Sequence, residues 1–213
     1  MTKTKNIVIY GTGGLGRGVV DLIESINNFS SSPFDILGFV DDSEKNIEVN
    51  GLRVFGDSNF LLNYPKDINV VLAFGSPNVK RKIYNVLSVN KNLHFPNLIH
   101  PDVDVSKFNL FGIGNIISKG VALSTNITIN NFNLVHYNCS IGHDVSMGNY
   151  NSVFPLTALS GYDRLGDCVE IGTNTAVIPS ISFGDNSIVG AGSTIIEDVC
   201  ANTKVVGVPG KEI

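Results

Sequence analysis

A histidine followed directly by a carboxylate, in Ile141-Gly142-His143-Asp144, is the pairing that stands out for proton transfer among the four histidines of the chain. An imidazole with a pKa of about 6.5 accepts a proton at neutral pH, and an adjacent carboxylate can orient the ring and stabilise the imidazolium. Neighbours in a strand point to opposite faces, so contact between the two side chains requires a bend or a partner chain. His136 and Asn138 precede the pair in LVHYNCSIGHD, whereas His94 and His100 lie in a transition segment. No third ligand has suitable spacing, which argues against a zinc site. Cys139, Cys168 and Cys200 are odd in number and sit in or beside small-residue positions, so buried reduced thiols are expected. The inward position of Cys139 argues against an acyl-enzyme nucleophile. A second chemical candidate is Gly11-Thr12-Gly13-Gly14-Leu15-Gly16, which matches G-x-G-x-x-G and is followed by the acidic pair Asp41-Asp42. Such a loop lets the backbone approach a pyrophosphate at a helix N-terminus, or is a tight β–α turn with no ligand.

The elements that position these residues follow two different periods. Every sixth residue from Ile99 to Ile195 is apolar, including Val105, Phe111, Ile117 and Leu123, an unbroken series of seventeen anchors. Neither the 3.6 period of a helix nor the 2.0 period of a strand produces this, and a parallel β-helix does. The hexads IGHDVS, MGNYNS, VFPLTA, LSGYDR, LGDCVE and IGTNTA look like those of hexapeptide-repeat acyltransferases. That resemblance implies a left-handed prism with three hexads per coil, residues eighteen apart stacked, and the fifth hexad position filling the corner beside each anchor.

Ahead of the hexads, Asn6–Tyr10 is an apolar run, and Val19, Val20, Leu22, Ile23 and Ile26 lie at helical spacing after the glycine turn. Further strands are expected at Ile36–Val40 and Val70–Phe74, with a helix from about Pro77 to Lys91. This alternation implies a small Rossmann-like parallel α/β sheet. The segment is too short for both halves of a dinucleotide fold, which argues against a nicotinamide site. The chain is therefore expected to divide into an α/β domain over 1–95 and an all-β helix with a C-terminal tail over 96–213.

Nearly the whole chain, through IVIYGTGGLGRG, GFVDDS, VVLAFGSPNVKRKI, the hexads and the closing VVGVPGK, resembles the PglD/NeuD-like sugar acetyltransferases. The resemblance implies that Gly13, Gly14 and Leu15 lie at the diphosphate of a nucleotide sugar and that Asp41 and Asp42 meet its base. Leu15 replaces a histidine of some relatives, and Arg17 is the cation available in its place. The loop carrying Gly75 and Asn78 approaches the nucleotide sugar, and His136 and Asn138 are contacts to sugar or acetyl. His143 is implied as general base with Asp144 as its partner, and Gly161, eighteen residues on, as the N–H donor to the acetyl oxygen. Ser152 stands where some relatives carry a second histidine that meets the acetyl group. Gly207 and Lys211 belong to a tail that lies against coenzyme A, and side-by-side packing as a homotrimer puts that cosubstrate between neighbours.

The implied activity is transfer of acetyl from acetyl-CoA to a nucleotide-linked amino sugar, a UDP- or dTDP-linked 4-amino-4,6-dideoxyhexose foremost, in bacterial surface-glycan biosynthesis such as that of lipopolysaccharide O-antigen. Asp41-Asp42 alone does not distinguish uracil, thymine and guanine. Two alternatives stand beside it: O-acetylation of a free sugar such as a sialic acid, and a non-catalytic nucleotide-binding or structural prism. A net charge of −4 with scattered lysines argues against nucleic acid as a partner. The opening MTKTKNIVIYG leads almost directly into a strand, without an apolar segment for a signal peptide or membrane span, so a cytoplasmic location is expected.

Overall fold

The computed structural model describes residues 4–43 and 47–213, so Met1, Thr2 and Lys3 of the opening stretch lie outside the described residues. The chain divides into two compact units, Met1–Leu98 and Ile99–Ile213.

The first unit begins with strand β1 (Lys5–Tyr10), whose last four residues are buried without alternation, as expected of a central parallel strand. Helix α1 (Gly14–Asn27) buries Gly16, Val19, Leu22 and Ile23 on one face. There follow β2 (Phe34–Val40), the short hairpin β3 (Glu48–Val49) and β4 (Leu52–Arg53), α2 (Ser58–Leu62), β5 (Ile68–Leu72), α3 (Pro77–Leu87) and β6 (Leu93–His94). The main sheet has the order β2-β1-β5-β6 and is parallel throughout. The chain leaves β1 toward β2 and later returns to β5 on the other side, so the order switches between β1 and β5. Ligands of open α/β sheets bind at such a switch, beyond the strand C-termini. The glycine loop, Asp41-Asp42 and the Gly75 loop follow the C-terminal ends of β1, β2 and β5. Helix α3 stops at Leu87, short of the expected Lys91. The Asn90 N–H turns back to Leu87 O, and its side chain donates to the carbonyls of Leu61 and Tyr64, drawing the chain off the helix axis.

The second unit is a parallel β-helix of three faces, each built from two-residue strands. Ala122, Ser140, Ala158, Ala176 and Thr194 lead one face, each of the first four pairing with the residue eighteen further on. The same register of eighteen governs the face starting at Leu110 and the face containing Leu134, Ser152 and Glu170. Anchors from Ile129 to Ile195 are buried in one continuous core, each worth roughly 1.5–3 kcal/mol relative to exposure. Fifth positions from Val103 to Val199 are buried as well, including the polar Asn109, Asn115, Asn133, Thr157 and Asp163.

Between strands the backbone turns through a left-handed residue at every sixth position from Gly114 to Gly192. Asn, Asp and Gly, which tolerate this conformation best, fill Gly114, Gly120, Asn126, Asn138, Asp144, Asn174, Asn186 and Gly192. These corners align into three edges running along the prism.

Two expectations are corrected here. Val105 is 46% exposed, although Val103 at the preceding fifth position is in the core. A bond from Val103 N–H to His100 O turns the chain in this first coil before the regular strands begin. Cys200 is exposed at the sixth position of its hexad, as are Ser140, Arg164 and Ser182 at theirs, whereas Cys139 and Cys168 are buried. Among the described residues no helix is long and apolar enough to cross a membrane.

Candidate active site

The β-helix places His143 and Asp144 together at one corner. Asp144 is the left-handed residue of that corner, with φ +59°, and this is the bend that strand alternation alone does not provide. His143 Nδ1 lies 2.8 Å from Asp144 Oδ2. A carboxylate can only accept, so His143 donates through Nδ1–H and Nε2 keeps a free lone pair. Asn126, one coil before, donates through Nδ2 to the other oxygen of Asp144 at 3.3 Å. The imidazole is half exposed, and the ring of Tyr162 stands edge-on to it at 5.0 Å.

Gly161 stacks on His143. A Cβ built at position 161 would lie 2.7 Å from both Nε2 and Cε1 of the imidazole, so the ring occupies the space a side chain would need. The Gly161 carbonyl accepts from Ser180 N–H, and the His143 carbonyl accepts from Tyr162 N–H, which ties the corner to the coil beyond. The N–H of Gly161 has no acceptor among the described residues. Along the edge carrying Asn131, Asn149, Asp167 and Asp185, the equivalent N–H groups are capped by the side chain one coil further on. At Gly161 that next residue is Pro179, which offers no side-chain acceptor. The imidazole therefore packs against a glycine whose N–H no side chain among the described residues caps.

The other prism residues are distributed more widely. His136 and Asn138 belong to the neighbouring edge, one face away from His143, so within one chain they do not join the His143–Gly161 corner. His136 Nδ1 accepts from Tyr137 N–H, and burial lowers the imidazole pKa, which favours the neutral ring. Ser152 is fully buried on another face and is not accessible to an acetyl group at this corner. Cys139 is buried, its thiol directed to Phe154 O, and burial pushes its pKa up to about 11, which suits an inert core thiol. Gly207 and Lys211 lie in a closing hairpin, Lys204–Val206 against Lys211–Glu212, rather than in a free tail. Lys211 is exposed, and Glu197, Asp198 and Glu212 line the same cleft, an acidic setting for a phosphate contact.

In the first unit the glycine loop is shaped for close approach. A Cβ on Gly16 would fall 1.9 Å from Gly11 O, so only glycine lets α1 start against the loop. Gly13 and Gly14 face open space, beside the first N–H groups of α1. Arg17 folds back through Nη1 onto Thr12 O at 3.0 Å. Asp41 accepts from the N–H and hydroxyl of Thr12 and from Ser43. Burial alone would raise its pKa, but these donors outweigh burial and hold it at about 2. Asp42 accepts from the Tyr10 hydroxyl and from Ser58 N–H. Burial opposes ionisation of Asp42 too, yet those donors lower its pKa on balance, while burial and the Asp42 charge raise that of Tyr10. Both carboxylates thus brace the loop ends, which the sequence reading did not anticipate. Gly75 lies between β5 and α3, and Asn78 in the first turn of α3 accepts from Arg81. Among the described residues no group of three or more His, Cys, Asp or Glu is placed to hold a metal ion.

Residues 6–87 match the PglD N-terminal domain family. Over 191 residues the chain is 31% identical to the GDP-perosamine N-acetyltransferase of Escherichia coli O157:H7, covering 86% of this chain and 82% of that protein. The chain belongs to the PglD-like sugar N-acetyltransferases. This PglD-like chain also superimposes on PerB from Caulobacter crescentus, solved in complex with CoA and GDP-perosamine, with a TM-score of 0.88 and 25% identity, over 98% of this chain and 97% of that one. The acetyltransferase domain of PglB from Neisseria gonorrhoeae, solved with acetyl coenzyme A, gives a TM-score of 0.90 and 25% identity, over 99% and 100%. The β-helix of this PglD-like chain is the left-handed one of these acetyltransferases.

Asn126, Tyr162 and Asp163 were not singled out from sequence. Asn126 carries a readable signal, since it recurs eighteen residues before Asp144 at the same hexad position.

Proposed function

We propose that this chain transfers acetyl from acetyl-CoA to the amine of a nucleotide-linked 4-amino-4,6-dideoxyhexose, with GDP as the first nucleotide to test. The observation that carries the reading is the His143–Asp144 pair packed against Gly161, whose N–H no side chain among the described residues caps. The base is a proposal from the E. coli relative and from the ligands in PerB, because Asp41 and Asp42 are engaged within the loop.

His143 Nε2 takes the proton of the attacking amine as the new C–N bond forms, and Asp144 stabilises the imidazolium. The Gly161 N–H receives the negative charge that develops on the thioester oxygen, a contact typically worth about 3 kcal/mol in the transition state. As the C–S bond breaks, His143 returns the proton to the departing sulfur. Gly13, Gly14 and the first N–H groups of α1 take the diphosphate, with Arg17 nearby. The Gly75 and Asn78 loop borders the same switch point and approaches the sugar. A homotrimer, with coenzyme A between neighbours near Gly207 and Lys211, would let His136 and Asn138 of one chain face the acetyl site of another. The reaction belongs to the assembly of surface glycans in the cytoplasm.

The test is incubation with acetyl-CoA and GDP-, UDP- and dTDP-linked 4-amino-4,6-dideoxyhexoses, following free thiol and product mass. Gain of one acetyl group on one of them supports the reading. Acetylation of a free sialic acid alone would move the assignment to O-acetyl transfer, and absence of coenzyme A binding to a non-catalytic prism.

A further inference from the structure

Asp163 is fully buried two residues after Gly161 and has no part in the mechanism above. It occupies a fifth hexad position, whose side chains fill the corners of the core. In its own column of residues eighteen apart, Ile127, Val145, Ile181 and Val199 are apolar and buried, so the fold accepts a hydrophobic residue at this level. Asn109, Asn115 and Asn133, three amides at fifth positions, follow one pattern. Asn109 accepts from Ile127 N–H through Oδ1 and donates through Nδ2 to Ser124 O, fifteen residues on. Asn133 likewise accepts from Asn151 N–H and donates to Gly148 O.

Asp163 departs from that pattern. Its Oδ1 accepts from Ile181 N–H at 3.0 Å, as an amide would. A carboxylate has no donor for the second bond, and its Oδ2 turns back to accept from Ser160 N–H at 2.8 Å. Ser160 immediately precedes Gly161, and its hydroxyl donates to Val177 O at 2.5 Å. Gly161 O is held by Ser180 N–H. The peptides on either side of the one that carries the Gly161 N–H are therefore both held, and accepting from Ser160 N–H and Ile181 N–H through separate oxygens takes the carboxylate at position 163.

We propose that Asp163 is a positioning residue that aims the Gly161 N–H at the acetyl carbonyl, acting through Ser160 rather than by touching substrate. The inference rests on the reading of Gly161 as the oxyanion donor. Preorganised donors lose effectiveness when their direction is no longer fixed, so the effect falls on the transition state and not on ground-state binding. The pKa of Asp163, raised by burial to about 6 even though the Ile181, Ser160 and Ser180 N–H groups pull it down, agrees with a buried charge kept for a reason other than stability.

The experiment compares the wild-type enzyme with Asp163→Val and Asp163→Asn. Valine matches Val145 in the adjacent coil, and asparagine can keep the Ile181 bond in the manner of Asn109 while losing the one from Ser160. Expected for both is a fall in kcat of about tenfold or more, KM for both substrates within about twofold, and a melting temperature no lower than wild type at pH 7.5. A kcat within about twofold of wild type overturns the proposal, as does a loss of kcat that merely tracks a lower melting temperature. Wild type without acetyl transfer would instead defeat the proposed function, and crystal structures of wild type and Asp163→Val then decide the positioning claim alone. A Gly161 peptide turned away from His143 in the variant supports it, and an unmoved peptide overturns it.

Discussion

Two edges of the same prism share one backbone and differ in what closes their N–H groups. On the edge of Asn131, Asn149, Asp167 and Asp185, a side-chain ladder caps one corner from the next. On the edge of His143 and Gly161, the corner residues keep their backbone bonds and Asn126 reaches Asp144, but no side chain among the described residues caps the N–H groups of His143 and Gly161. On the proposed reading, the same geometry serves rigidity where side-chain acceptors are present and reactivity where a glycine and a proline withhold them. That edge, on the same reading, leaves its donors for water or substrate to take, without the penalty of burial.

If that division holds, substitutions on the two edges separate turnover from stability. His143→Ala is expected to have the largest effect, lowering kcat/KM by about 10²- to 10⁴-fold with the fold intact, measured by thiol release. Gly161→Ala comes next. Its Cβ would meet the movable imidazole rather than backbone, so the protein should fold while kcat falls by about 100-fold. A crystal structure of the variant should show His143 displaced from its contact with Asp144.

Asn149→Ala acts on the ladder edge instead. It removes the acceptor for Asn131 N–H and Nδ2, and the side-chain donor to Asp167. The expected outcome is destabilisation by about 1–3 kcal/mol in denaturant titration, with kcat unchanged. The pH dependence of Asp163 sharpens the comparison further. Its folded pKa of about 6 lies above the unfolded carboxylate value of about 3.9. Protonation therefore favours the folded state, and stability falls as pH rises from about 4 to about 6. Asp163→Asn removes that slope and should gain up to about 2–3 kcal/mol above pH 6 but little near pH 4, seen in melting curves across this range.

Much of this arrangement is readable from residue types. The six-residue period locates the anchors and the corner-filling positions, because each inward residue must be apolar or self-satisfied to stack. The period fails at Val105, where the first coil has no preceding coil to impose the register. The His143–Asp144 contact was legible as a pair but not as a geometry. The missing step was the left-handed corner, signalled by Asn, Asp and Gly recurring at fourth hexad positions. Asp163 was hidden for a different reason, since its role depends on which N–H its second oxygen reaches, a choice made in three dimensions. The bracing role of Asp41 and Asp42 was likewise invisible, because their partners Thr12, Tyr10 and Ser58 come from other elements. In Lys211 the charge was legible, but its acidic neighbours in the fold were not.

The most direct measurement sets His143→Ala beside Asn149→Ala, recording kcat/KM for acetyl transfer to the nucleotide-linked amino sugar and the melting temperature of each. The account predicts a crossed result: His143→Ala loses turnover and keeps its melting temperature, whereas Asn149→Ala melts lower and turns over normally. Near wild-type turnover in His143→Ala would contradict the account, because the edge without a ladder would then not be where the proton is taken.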